Sequence, residues 1–150
     1  MTQNRRSKAR SAARLAAVQA LYQQHMENVP LARLLDEFHQ HRLGAEIEDV
    51  RFNEAEVAFF DDIVRGVDAR REEIDRLLSE RLSESWTLSR LDRTMLQILR
   101  AGAYELLSRG DIATGTAISE YVDVAKAFFA DREAKFVNGV LDAVAKDIGR

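Results

Sequence analysis

The residue types that most often carry chemistry are scattered along the chain and form no recognisable catalytic pattern. The 150 residues include no cysteine, which excludes disulfides, thiolate metal sites and thiol nucleophiles. His39 and His41 are two residues apart, so they point to opposite sides of a helix, and His25 stands alone. We therefore interpret the three histidines as solvated helix residues, and the sequence predicts no metal and no cofactor.

Two other patterns resemble functional motifs without meeting their requirements. Residues 61–62 and 72–73 are adjacent acid pairs, but neighbouring residues on a helix diverge, so neither pair forms a general acid/base couple. Gly110 and Gly115 have the spacing of a phosphate-binding loop, yet Thr116 stands where the lysine of that loop belongs. The sequence therefore predicts a protein that is not an enzyme.

The strongest chemical feature is a basic N-terminal segment, residues 1–14, which contains no acid. Subtracting its five bases from the 22 Lys and Arg leaves 17 bases against 25 acids, a net charge of −8 for residues 15–150. Clustered cations neutralise phosphates, and arginine also stacks on unpaired bases. Tyr22 is a candidate platform for base stacking. RNA binding, attraction to an acidic protein surface, mere solubilisation and a cleaved targeting peptide stay open as explanations of this segment.

Apolar residues recur at helical spacing along almost the whole chain, and no strand-like alternation persists. The single proline and the abundance of good helix formers favour the same fold. We predict an all-α protein of six to seven helices in two packed helical sub-bundles of one domain, about residues 1–85 and 86–150. The first predicted helix covers about residues 9–27, and later ones begin near residues 30, 53, 89, 116 and 131. The helix that begins near residue 89 is stopped at residues 109–111, and a further short helix, about residues 74–82, could be continuous with the one before it.

Local signals predict where these helices begin and end. Asn53 and Ser89 are expected to open helices, and Asp131 is expected to cap the last helix. Residues 46–49 form the expected linker, and Gly139 is expected to permit close helix packing. No apolar run reaches the length of a membrane span, so no membrane association is expected.

Several segments resemble the NusB transcription antitermination family, and they follow one another in the family's order. They are residues 14–22 (RLAAVQALY), 60–67 (FDDIVRGV), 98–106 (ILRAGAYEL), 125–128 (AKAF) and 135–142 (KFVNGVLD). The resemblance implies a cytoplasmic factor that binds single-stranded boxA-type RNA together with NusE, a ribosomal protein of the small subunit. It also implies a place in the antitermination complex of RNA polymerase. A homodimer of the free protein stays open.

The resemblance also implies roles for individual residues. The implied RNA-binding residues are Arg5, Arg6, Lys8, Arg10, Arg14, Gln19, Tyr22, Lys135, Phe136 and Asn138. The implied partner-binding residues are Asp92, Met95, Asp131 and Arg132. Phe136 could instead be core, and Arg100 and Glu105 could simply stabilise the fold. Departures from the family pattern occur at Ala113, Ser119, Tyr121 and Arg132.

Two rival functions remain open. The first is a protein-interaction adaptor that does not bind RNA. The second is a non-catalytic relative of RNA cytosine methyltransferases, whose N-terminal domain resembles this family.

Overall fold

The computed structural model describes residues 2–41, 54–82 and 87–150, and these ranges are almost entirely helical. Seven α-helices and one short 3-10 helix account for the regular structure within them, so the predicted all-α fold is confirmed. The helices are α1 Thr2–Glu27, α2 Leu31–His41, α3 Glu54–Ala69, α4 Arg71–Ser79, α5 Arg93–Ser108, α6 Thr114–Phe128 and α7 Asp131–Asp147; the 3-10 helix is Leu88–Arg90.

Two compact units divide the chain, Met1–Arg65 and Gly66–Arg150, and the division falls within α3. The sequence placed the boundary near residue 85 instead. The difference arises because α4 packs against α5 and α7, which puts it in the second unit. Apolar periodicity identifies α4 as a helix but does not say which helices it meets.

The first unit is built on α1, whose buried side chains are mostly alanines. Leu34, Leu35 and Phe38 of α2 supply larger apolar side chains. The ring of Phe38 stacks on Phe60 of α3, with 5.6 Å between ring centroids. Because most buried side chains of α1 are alanines, neighbouring helices can approach its backbone closely.

The second unit is organised around α5, which is buried from Met95 to Leu106 without interruption. A Cβ at Gly102 would lie 2.7 Å from Cδ1 of Leu141, so this glycine lets α7 approach the centre of α5. A Cβ at Gly66 would overlap the ring of Tyr104. Two glycines thus permit close packing in this unit.

Several helix ends differ from the predicted ones. The first helix begins at Thr2 rather than near Ala9, because nothing in the basic segment breaks a helix. Ser89 lies in the 3-10 helix, and Asp92 caps α5 by accepting hydrogen bonds from the backbone N–H groups of Thr94 and Met95 at 2.8 and 3.2 Å.

The predicted cap of the last helix is also corrected. Asp131 is the first residue inside α7, and Ala130 occupies the cap position with extended backbone. A carboxylate in the first turn still favours the helix through its dipole. The predicted helix stop after Ser108 is confirmed.

Gly139 does not serve helix packing as predicted, because a Cβ there would meet no described atom within 4 Å. The predicted linker at residues 46–49 and the predicted helix start at Asn53 lie outside the described residues. None of the helices in the described ranges is both long enough and apolar enough to cross a membrane.

Candidate nucleic-acid interface

One face of α1 carries three of the predicted RNA-binding residues. Lys8 and Tyr22 are exposed and Gln19 is half-buried, with Tyr22 at 39% exposure. Their spacing places them on the same side of a helix that repeats every 3.6 residues. From Lys8 to Tyr22 this face, the α1 surface, extends over about 21 Å of helix length. It offers a cation, an amide and an aromatic ring in one line.

Arg10 and Arg14 point elsewhere, toward Phe59 of α3. Both guanidinium groups lie 5.0 Å from the centroid of the Phe59 ring, the geometry of cation–π contacts. Arg14 is only 2% exposed, and Arg10 is half-buried. The structure thus moves Arg14 from the expected RNA-binding surface into the core of the first unit. Arg5 and Arg6 lie in the first turns of α1.

The remaining predicted RNA-binding residues lie on α7, in the second unit. Lys135 and Asn138 are exposed on one side of the helix, and Phe136 is half-buried. Among the described residues, no carboxylate lies within ion-pairing distance of Lys135. Its ammonium group is therefore available to an anion from outside the unit.

The predicted partner-binding residues divide into exposed and buried positions. Asp92, Asp131 and Arg132 are exposed, and the side chain of Arg132 reaches 92% exposure although it contacts Glu133 at 3.4 Å. Met95 is only 4% exposed because it belongs to the buried run of α5. The expected surface contact at Met95 is therefore corrected to a core position.

The buried charged residues of the second unit stabilise its fold. Nε and Nη2 of Arg100 each donate to a carboxylate oxygen of Asp75 at 2.9 Å. The Tyr121 hydroxyl donates to the carboxylate of Glu105, and both residues are fully buried. Tyr121, a departure from the family pattern, is thus a core residue.

His39 departs from the interpretation of the histidines as solvated, whereas His25 is exposed and agrees with it. Its Nε2 lies 2.6 Å from Oδ1 of Asp61, and its ring meets the Phe60 ring edge-on at 6.2 Å between centroids. Within the described ranges, side chains that could hold a metal ion do not gather in groups of three or more.

Sequence reasoning missed one exposed aromatic residue near α7. Phe128 ends α6, is 44% exposed, and its ring centroid lies 6.4 Å from that of Phe129. Its spacing gave no signal of exposure, because Phe128 lies seven residues after Tyr121 and four after Val124, on the side of α6 that these buried residues occupy. Its exposed aromatic ring is nevertheless a candidate for contact with a base.

The helical fold and these exposed cationic, amide and aromatic residues define a class, that of small helical binding proteins. A profile of the NusB family matches residues 11–146. The transcription antitermination protein NusB of Novosphingobium aromaticivorans is 75% identical over 141 residues, which cover 94% of this chain and 95% of that protein.

Solved structures agree with this match. A T. maritima NusB structure has a TM-score of 0.77 and 31% identity, covering 92% of this chain and 91% of that chain. A structure of the antitermination factors NusB and NusE in complex with dsRNA gives a TM-score of 0.79 and 25% identity, covering 93% and 98%. The chain therefore belongs to the NusB family of transcription antitermination factors, which are not enzymes.

Proposed function

We propose that this protein binds single-stranded boxA-type RNA jointly with the ribosomal protein NusE, in the cytoplasm, as part of the antitermination complex of RNA polymerase. Family membership supports antitermination, and the related NusB–NusE complex with RNA supports the two classes of partner. Each contact can be modest, because binding one partner raises the effective concentration of the other.

The α1 surface is the observation that carries the RNA-binding proposal. Lys8 supplies a cation for phosphate, and Gln19 supplies an amide that can pair with a base edge. Tyr22 presents an exposed ring of the kind on which unpaired bases stack. These three groups match the three features of a single strand: its phosphates, base edges and base faces.

The α7 residues extend the proposed contact set. Lys135 and Asn138 are exposed, and Phe136 keeps part of its ring accessible. For the ribosomal protein we propose contacts at Asp92, Asp131 and Arg132, whose charges are exposed. Arg14 and Met95 act on both partners only through the fold, because each is buried.

The test measures binding of labelled boxA-type single-stranded RNA by fluorescence anisotropy, with and without purified NusE. We expect Lys8→Glu and Tyr22→Ala to weaken RNA binding about tenfold or more, since each removes a direct contact with phosphate or base. Arg33→Glu is the matched control, an equal change of charge at an exposed arginine of α2 outside the proposed contacts, and it should leave affinity within about twofold.

Two results would contradict the proposal. Absence of RNA binding by the wild-type protein, alone and with NusE, would favour the protein-interaction adaptor. Equal losses of affinity in Lys8→Glu and Arg33→Glu would show that the effect comes from the net charge of the protein and not from a contact at Lys8. A homodimer of the free protein stays a prediction, and sedimentation equilibrium without RNA tests it.

A further inference from the structure

The buried ring of Phe59 holds a cation that has no acidic partner among the described residues. The guanidinium group of Arg10 lies 5.0 Å from the centroid of this ring. Within the described residues Arg10 forms no ion pair and no hydrogen bond. It is half-buried, so it has given up part of its hydration for a single cation–π contact. The fold thus leaves the charge of Arg10 unneutralised.

The two ends of this guanidinium group meet different surroundings. The Nε atom of Arg10 is buried and has no hydrogen-bond partner in the described structure, whereas Nη1 and Nη2 are not buried. A guanidinium group is planar, so its contact with the ring limits how the terminal N–H groups can turn. These N–H groups therefore face solvent in an orientation that the fold has already set.

Arg14, the second arginine on the same ring, does not share this accessibility. Its guanidinium group lies at the same 5.0 Å from the Phe59 centroid, but its side chain is buried. Of the two arginines that contact Phe59, only Arg10 can therefore meet a ligand from outside the unit.

We propose that Phe59 is a positioning residue for RNA binding, whose ring orients the Arg10 guanidinium group to bind a phosphate of single-stranded RNA. A planar guanidinium group can donate two parallel hydrogen bonds to one phosphate, and a fixed orientation lowers the entropy lost on binding. Arg10 lies on the side of α1 opposite Lys8, so a strand that contacts both crosses this helix near its N-terminal end. This inference rests on the proposed RNA-binding function and adds to it a buried residue that the strand does not touch.

The charge of the surrounding segment favours a nucleic acid over an acidic protein side chain as the ligand of Arg10. Arg10 belongs to residues 1–14, which hold five bases and no acid. A strand with a phosphate at every nucleotide gains from several such cations at once by releasing its counterions, whereas a single carboxylate gains from one.

A double-mutant cycle tests whether Phe59 acts through Arg10, with anisotropy of labelled single-stranded RNA in the presence of NusE as the readout. We expect Arg10→Gln to weaken RNA binding about tenfold, since it removes a charge-assisted contact with phosphate. Phe59→Leu should weaken it about threefold in the wild-type protein and should have no further effect in Arg10→Gln. Phe59→Tyr retains an aromatic face and should keep affinity within about twofold of wild type.

The salt dependence of affinity separates positioning from a general loss of stability. Arg10→Gln should make the slope of log affinity against log salt concentration shallower by about 0.7, and Phe59→Leu should shift it in the same direction. Phe60→Leu is the matched control, because Phe60 is the next residue of α3, is fully buried, and within the described residues its ring contacts Phe38 and His39. It should lower the melting temperature but leave the slope and the RNA affinity of the folded protein unchanged.

Arg10→Lys provides a test that does not depend on the folding of a Phe59 variant. Lysine keeps the positive charge but lacks the planar group that lies over the ring and pairs with phosphate through two bonds. We expect this variant to bind RNA about threefold more weakly than the wild-type protein. Wild-type affinity in Arg10→Lys would show that charge alone matters and would contradict a role for the ring.

Four further results would overturn the inference, and they are distinguishable from one another. Wild-type affinity and salt slope in Arg10→Gln would show that Arg10 binds no phosphate. An equal loss from Phe59→Leu with and without Arg10 would show that Phe59 acts only through the stability of the fold. Loss of NusE binding by Arg10→Gln with RNA binding intact would assign the guanidinium group to the protein partner. Failure of the wild-type protein itself to bind RNA would contradict the proposed function.

Discussion

Phe59 contacts two arginines, Arg10 and Arg14, that belong to the basic N-terminal segment. The guanidinium groups of Arg10 and Arg14 both lie 5.0 Å from the centroid of its ring. A buried charge without compensation is costly, and the aromatic face supplies part of that compensation for Arg14. Cations four residues apart on α1 thus secure that helix to α3, while Lys8 faces outward.

Replacing these cations distinguishes buried Arg14, which stabilises the fold, from exposed Lys8, which contributes little to stability. We expect Arg14→Ala to lower the free energy of unfolding by about 2–4 kcal/mol, because it empties a buried site and removes the contact with Phe59. Lys8→Ala should change it by less than about 0.5 kcal/mol, as is usual for an exposed side chain. Urea denaturation measures both. An unchanged midpoint for Arg14→Ala would show that its burial does not contribute to the fold.

At the scale of elements, capping rather than periodicity decides where α5 begins. Ser89 and Asp92 are both good capping residues, and only Asp92 accepts hydrogen bonds from the first N–H groups of the helix. The 3-10 helix Leu88–Arg90 takes up the residues before it. Because α5 is buried from Met95 to Leu106, the position of its first turn governs much of the second unit.

Asp92 tests this cap and the proposed partner contact separately. Asp92→Ala should lower the free energy of unfolding by about 1 kcal/mol, whereas Asp92→Asn should retain the cap, since asparagine caps equally well. Ser89→Ala is the control and should have almost no effect. If NusE binding weakens in Asp92→Asn while stability is unchanged, the carboxylate itself contacts the partner; equal instability of both Asp92 variants would contradict the capping argument.

At the scale of the whole molecule, the charge is strongly polarised along the chain. Residues 1–14 carry five bases and no acid, although the net charge of the protein is −3. A polyanion is attracted to the basic segment and repelled by the acidic remainder, so charge directs its approach. Ionic strength should therefore affect RNA binding more than net charge alone suggests.

The salt dependence of RNA affinity measures this effect. If three to five phosphates of a single strand are neutralised, the slope of log affinity against log salt concentration should be roughly −2 to −3.5. Anisotropy titrations from low to moderate salt, with the nucleotide sequence held constant, give the slope. Lys8→Ala should make it shallower by about 0.7. A slope near zero would mean that phosphate contacts do not drive binding.

The sequence by itself determined the helical fold and most helix positions. Apolar spacing predicts the buried side of α2, α5 and α7. Gly110, a helix breaker two residues after Ser108, predicts the end of α5. Spacing also places Lys8, Gln19 and Tyr22 on one side of α1, although it does not decide that this side is exposed. The apolar periodicity of a helix can be read from its own residues, because it does not depend on which other helices pack against it.

Tertiary structure decided which neighbours each side chain meets. Arg14 is buried because Phe59, 45 positions further along, lies over it, and no local pattern contains that contact. Gly102 and Gly139 are the same residue type inside helices, yet one faces Leu141 and the other faces open space. Spacing shows on which side of its own helix a residue lies, whereas long-range packing determines whether that side becomes core, support or binding surface.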